Sequence, residues 1–154
     1  DATFTTSAHR TTVLSPGTAL YVGKNVSFDN GATLAVPAGS ITFAADVDGQ
    51  PKSIDHMTLL LGGQAQLLTD QVSLNIGAHG TVRGYGPSPL STAVIANNGT
   101  LTNYGTIDAG TRVMNFHPVS GIDNEGTITA GANGAIAMYT SNFTNQPVTN
   151  NGTM

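Results

Sequence analysis

Residues 95–107 read Ile95-Ala-Asn97-Asn-Gly99-Thr100-Leu101-Thr-Asn103-Tyr-Gly105-Thr106-Ile107. One phrase, apolar-x-Asn-x-Gly-Thr-apolar, is written there twice, and Leu101 ends the first copy and starts the second. Ile122-Asp-Asn124-Glu-Gly126-Thr127-Ile128 is a third copy, and Val148-Thr-Asn150-Asn-Gly152-Thr153-Met154 a fourth. Ile76-Gly-Ala78-His-Gly80-Thr81-Val82 keeps everything but the Asn, and Phe28-Asp-Asn30-Gly31-Ala-Thr33-Leu34 is a looser relative. The glycines at 80, 99, 105, 126 and 152 are separated by 19, 6, 21 and 26 residues. Such spacing describes repeating layers with loops of variable length.

The phrase has the chemistry of a tight corner between strands. Asn tolerates the left-handed region and bonds its own nearby backbone, and Gly supplies a positive φ without steric cost. Thr, β-branched, then opens the next strand. A single Asn-Gly would read as an ordinary hairpin turn. Four copies, two of them back to back, read as a corner that returns.

The rest of the chain is consistent with this. Thr11–Leu14, Ala19–Val22, Thr33–Val36, Ile41–Ala44, Val72–Ile76, Thr92–Ala96, Arg112–Phe116 and Ala135–Tyr139 are short strand-like runs, nearly all bounded by Gly, Pro, Asn or Asp. No segment holds a 3.6-residue apolar period over three turns, and the best helical candidate, Ile54–Leu68, is broken by Gly62-Gly63. An antiparallel sandwich also has many short strands, but it does not require one corner to return layer after layer. The expectation is an all-β, right-handed parallel β-helix with Asn-x-Gly-Thr corners, in which residues of successive coils stack ~4.8 Å apart. Asn97 or Asn103, then Asn124 and Asn150, are candidates for a hydrogen-bonded ladder that Ala78 would interrupt. The six-residue step from Gly99 to Gly105 fits two corners of one coil. A coil of ~22 residues gives about seven coils. The 154 residues form one domain, with residues 1–25 as a candidate N-terminal cap. The repeat is cut at Met154, which reads as a segment of a longer chain.

Composition excludes several functions. Charged residues are 9% of the chain, with five Lys plus Arg against nine Asp plus Glu and a net charge of -4. Five scattered cations make no basic stripe for a nucleic-acid backbone or an anionic membrane surface. There is no cysteine, so neither disulfides nor thiolate metal sites form. No apolar run approaches the ~20 residues of a membrane-spanning helix, so no membrane insertion by this segment is expected.

The phrases around Gly99, Gly105, Gly126 and Gly152 resemble the repeats of bacterial surface β-helix proteins, namely autotransporter passengers and filamentous-haemagglutinin-like adhesins. The resemblance runs from about Ile76 to Met154. The Asn-Pro-Asn-Leu motif of two-partner secretion domains is not present. What the resemblance implies is a secreted or cell-surface adhesin or stalk segment that binds host or bacterial surface glycans or proteins, or self-associates.

No side chain stands out as catalytic. His9, His56, His79 and His117 are scattered, and none pairs with another at metal-ligand spacing, so each reads as a surface or corner histidine. His79 occupies the free position of a corner phrase and is expected to point to solvent. Asp46-Val-Asp48-Gly49 looks like the start of a calcium loop, but a full loop needs more oxygen ligands, so a polar turn is the simpler reading. Asp46, Asp48 and Asp55 are the densest acidic cluster. Paired carboxylates serve glycosidases, so a β-helix polysaccharide-cleaving enzyme or phage tailspike fragment is the alternative function. Tyr85, in the turn-rich Arg83-Gly-Tyr85-Gly-Pro87-Ser-Pro89, and His117 mark the loops nominated for ligand contact. No cofactor is implied.

Overall fold

The computed structural model describes residues 4–5, 7–23, 26–44, 52–70, 72–86, 92–97, 99–118, 120–138 and 148–154. Among them there is no helix, and the strands fall into stacked coils in chain order. The first coil holds β1 (Phe4–Thr5), β2 (Thr11–Val13) and β3 (Thr18–Val22); the second holds β4 (Val26–Ser27) and β5 (Ala32–Ala44). β6 (Lys52–Ile54) and β7 (Met57–Asp70) form the third. β8 (Leu74–Ile76), β9 (Thr81–Gly84) and β10 (Thr92–Asn97) form the fourth, and β11 (Thr100–Asn103), β12 (Thr106–Asp108) and β13 (Val113–Pro118) the fifth. β14 (Gly121–Asn124), β15 (Thr127–Thr129) and β16 (Ala135–Met138) follow, and then β17 (Val148–Asn150). Every strand pairing is parallel, each strand lying on its counterpart one coil away. This is a parallel β-helix.

Three faces result. The first carries β2, β9, β12, β15 and the opening halves of β5 and β7. The second carries β3, β10, β13, β16 and the closing halves of β5 and β7. The third is a five-stranded sheet in the order β17-β14-β11-β8-β6. β1 and β4 pair with each other as a separate small sheet. β2 and β3 join the main ladder through β5, so the segment expected as a cap takes part in the same parallel stacking.

Register shows why the sequence repeats. Thr11, Thr33, Thr58, Thr81, Thr106, Thr127 and Thr153 stack in one column of seven. The next residue along faces inward, giving the column Leu34, Leu59, Val82, Ile107, Ile128, each at most 2% exposed. On the second face Ile41, Leu67, Ile95 and Phe116 stack in the same way, and on the third Leu74, Leu101 and Ile122. These columns meet in one core. Burying each such side chain contributes about 1.5–3 kcal/mol. Period-2 alternation puts polar neighbours outside, so a narrow, three-sided core needs only one or two apolar residues per strand.

The long strands depart from expectation. Two runs expected as separate, Thr33–Val36 and Ile41–Ala44, lie in the single strand β5, with a register shift between Val36 and Ala38. Gly62-Gly63, which breaks the apolar run in sequence, sits inside β7. A Cβ at Gly62 would fall within 3.0 Å of the Pro37 backbone in the coil next to it. The glycine marks close stacking of two backbones, not a chain break.

Candidate functional site

Each coil passes from the third face to the first through a corner, and in the last three the repeated phrase encodes it. Asn103, Asn124 and Asn150 occupy equivalent positions there. Asn103 and Asn124 end their strands facing inward and are fully buried. Asn103 Nδ2 donates to Asn124 Oδ1 at 2.7 Å and to Thr127 O at 3.2 Å. Asn124 Nδ2 donates to Thr153 O at 3.3 Å and to Gly126 O at 3.4 Å. Each amide thus reaches the backbone carbonyl of the column threonine one coil further on.

One open choice is settled and two expectations are corrected. Asn97 is not part of the ladder, because it lies on the second face and pairs with Pro118; it opens the other corner of its coil, the one that ends at Gly99. The ladder stops at Ile76 rather than at Ala78, because Ile76 is the residue in register with Asn103. Two extra residues in the Ile76–Thr81 corner shift that copy of the phrase out of frame. Asn103 Oδ1, which has only the apolar Ile76 on that side, is buried without a hydrogen-bond partner. The corner glycines Gly105, Gly126 and Gly152 are not in the positive-φ region. They are required because a Cβ on any of them would fall within 3.0 Å of a backbone carbonyl of the preceding coil: Gly77 and Gly80 for Gly105, Gly105 for Gly126, Gly126 for Gly152. Close backbone approach, not turn conformation, selects glycine here. Gly99 packs in the same way over Val72–Ser73.

The residue two before each column threonine projects from this edge. Read along the rod these are His9, Gly31, His56, His79, Tyr104, Glu125 and Asn151. Neighbours interact: Asn151 Nδ2 donates to Glu125 Oε1. The rings of His56 and His79 stack with centroids 4.3 Å apart and planes 15° from parallel. His56 holds a left-handed φ of 52°, as His9 does at 56°.

Asp55 completes a cluster with these two rings. Its Oδ1 accepts from the backbone N–H of His56 at 2.9 Å and of His79 at 3.0 Å. Its carboxylate lies 3.8 Å from His56 Nε2 and 3.8 Å from His79 Nδ1. What little burial it has raises its pKa, but the two N–H bonds and the adjacent imidazoles outweigh that and hold it below the ordinary carboxylate value. One donor atom from each of the three residues lies within 4.8 Å of the others. Gly77 makes room, since a Cβ there would fall within 3.0 Å of Asp55. In the linear sequence His79 follows His56 by 23 positions, so local spacing hides the pair. Aligning Thr58 with Thr81 reveals it.

Asp46 and Asp48 lie outside the described residues. Tyr85, 39% exposed, follows β9 where the first face ends. His117 lies near the far end of the second face, on β13. Arg112 is 3% exposed beside Gly84 and Gly86, with Nε and Nη1 lacking hydrogen-bond partners among the described residues. Arg83, on the first face, pairs with Asp108 of the next coil at 3.1 Å. An apolar cavity of about 620 Å³ adjoins the last core layer, lined by Ile128, Ile136, Met138 and Met154 among others. No helix among the described residues is long and apolar enough to cross a membrane. Comparison with family models, with curated proteins and with solved structures found no match.

Proposed function

We propose that this chain is a non-catalytic adhesin or stalk segment of a secreted bacterial cell-surface protein, presenting loops from a stiff rod to glycans or proteins. The observation that carries the reading is the inequality of the three edges. The edge between third and first faces is short at every level, two residues between Asn103 and Thr106 and again between Asn124 and Thr127. The other two edges hold connections of very different length, from the register shift at Val36/Ala38 to the seven residues between β9 and β10. A scaffold kept short on one edge and more variable on the others is suited to displaying loops, and loops are where binding residues concentrate. The low charge and the outward threonine column suit contacts made by hydrogen bonds. The resemblance of the repeats to those of surface β-helix proteins points the same way.

The polysaccharide-cleaving alternative asks for two carboxylates across a groove. Among the described residues, Asp55 faces two histidines and Asp108 faces an arginine, which weighs against it. A glycan-array screen on the purified chain, with reducing-sugar release measured for every hit, tests the reading. Binding without release is expected. Release of reducing ends, abolished by changing Asp46 and Asp48, would replace the adhesin with the enzyme.

A further inference from the structure

The geometry points to a divalent transition-metal site on the short edge, formed by Asp55, His56 and His79 and spanning two coils. The donor set is two imidazole nitrogens and one carboxylate oxygen, the combination that Zn²⁺ accepts with a fourth position left to water or to a ligand group. Calcium is a poor fit, because it takes six to eight oxygens. Imidazole suits zinc, copper and nickel.

Preorganisation supports the site. The two rings lie face to face, and one nitrogen of each, His56 Nε2 and His79 Nδ1, already sits 3.8 Å from the Asp55 carboxylate; to share one ion, both rings turn out of the stack so that their in-plane lone pairs converge. Asp55 is anchored through Oδ1 by two backbone N–H groups, one from each coil, which leaves Oδ2 unused by either of them. That anchoring is the outer support a metal-binding carboxylate ordinarily has. The donor atoms lie within 4.8 Å of one another, and tetrahedral zinc with bonds of about 2.0–2.2 Å brings its donors to roughly 3.3 Å. Closing that difference falls to the χ angles of the two histidines, whose side chains face solvent. His56 and His79 are 49% and 68% exposed, so the ion has open access. The column does not repeat the set elsewhere among the described residues: the position is Gly31 one coil before His56 and Tyr104 one coil after His79. The site stands whether or not the rod is an adhesin. If it is, the open coordination position offers an anchor for a carboxylate or hydroxyl pair of the ligand.

Calorimetric titration of the full chain with Zn²⁺, and separately with Ca²⁺, tests this. The expected result is one equivalent of Zn²⁺ bound and no Ca²⁺ at the same concentrations. His79→Ala removes an exposed side chain, His56→Asn keeps a residue that tolerates positive φ, and Asp55→Asn keeps an oxygen for the two N–H groups. Each should weaken Zn²⁺ binding at least tenfold, whereas His9→Ala and His117→Ala should leave it unchanged. Co²⁺ substitution should give the visible spectrum of a four-coordinate N/O site in the wild type and lose it in His79→Ala. The absence of Zn²⁺ binding, stoichiometric binding that survives the three cluster variants, or loss with His9 or His117 instead would each overturn the assignment. Circular dichroism of every variant separates loss of the site from loss of the fold.

Discussion

Replacing Asn124 by alanine tests whether the buried amides hold the coils together. The side chain's bonds include one accepted from Asn103 at 2.7 Å and two longer ones donated to Thr153 O and Gly126 O. A neutral hydrogen bond is worth about 1 kcal/mol net, and the two long bonds are set at about half of that each, giving roughly 2 kcal/mol. The truncated amide leaves a small void at a fully buried position, which adds on the order of 1 kcal/mol. Asn103 Nδ2 keeps Thr127 O, so no fully orphaned donor is added to the sum. The total is about 3 kcal/mol, or a fall in Tm of roughly 6–12 °C for a chain of this size. Urea unfolding followed by circular dichroism, with an unchanged m-value, gives the number directly. The companion cycle with Asn103→Ala should return a coupling of about 1 kcal/mol between the two. A loss below about 0.5 kcal/mol, or additivity of the two changes, would refute the ladder as a stabilising element. It would leave the amides as corner formers only. A further consequence is directional. Asn103 Oδ1 is already unsatisfied above Ile76, so Asn103→Leu should cost less than Asn124→Leu.

Gly126→Ala should destabilise by about 3 kcal/mol or more, because its Cβ would press on Gly105 O; a spectrum and Tm like wild type would show that the coils can part locally at little cost. Arg112→Met retains the apolar stem of a buried side chain and removes Nε and Nη1, which have no partners among the described residues, so stability to urea should be unchanged or rise by about 1 kcal/mol; a loss above about 2 kcal/mol would mean that the guanidinium is held after all. Asp55 has a depressed pKa, so the stability it contributes is present above the unfolded value near 3.9 and is lost as pH falls through the lower folded value. Midpoints of wild type and Asp55→Asn should therefore differ near neutrality and converge in acid, and a gap independent of pH would contradict the shift.

The repeated phrase made the architecture legible because a solenoid imposes the same environment on every coil. Asn124 and Asn150 could be aligned from the phrase with either Asn97 or Asn103, and only the register selects Asn103; the two-corner coil implied by Gly99 and Gly105 was legible from spacing. The reason for the glycines was not legible. A tight turn and a carbonyl pressed from the neighbouring coil select the same residue, and only the observed φ values and the Gly126–Gly105 approach separate the two causes. The frame of the Ile76 copy was misread because a longer corner keeps Gly80-Thr81 in place while moving Asn's position back to Ile76. The His56–His79 pair escaped for a related reason. Metal-ligand patterns are sought within a few residues, whereas here the relevant neighbour is one full coil away. Strand β7 shows the opposite error, since Gly62-Gly63 reads as a break only when the coil beside it is ignored.

The parallel ladders also determine how the rod responds to load. All inter-strand hydrogen bonds run from coil to coil, along the direction in which the strands stack. A pull applied at the two chain ends does not shear a whole sheet at once; it peels the terminal coil, breaking that coil's bonds in sequence, and then passes to the next. The Asn103–Asn124 amide bond points the same way and reinforces the coils near it. The long, fused pairing of β5 with β7, twelve registered residue pairs interrupted by the register shift at Val36/Ala38, forms the broadest seam in the stack. Under tension the coils after β10 would yield first and the β5–β7 seam last, so extension would proceed in steps of one coil, each releasing roughly 21 to 26 residues of chain.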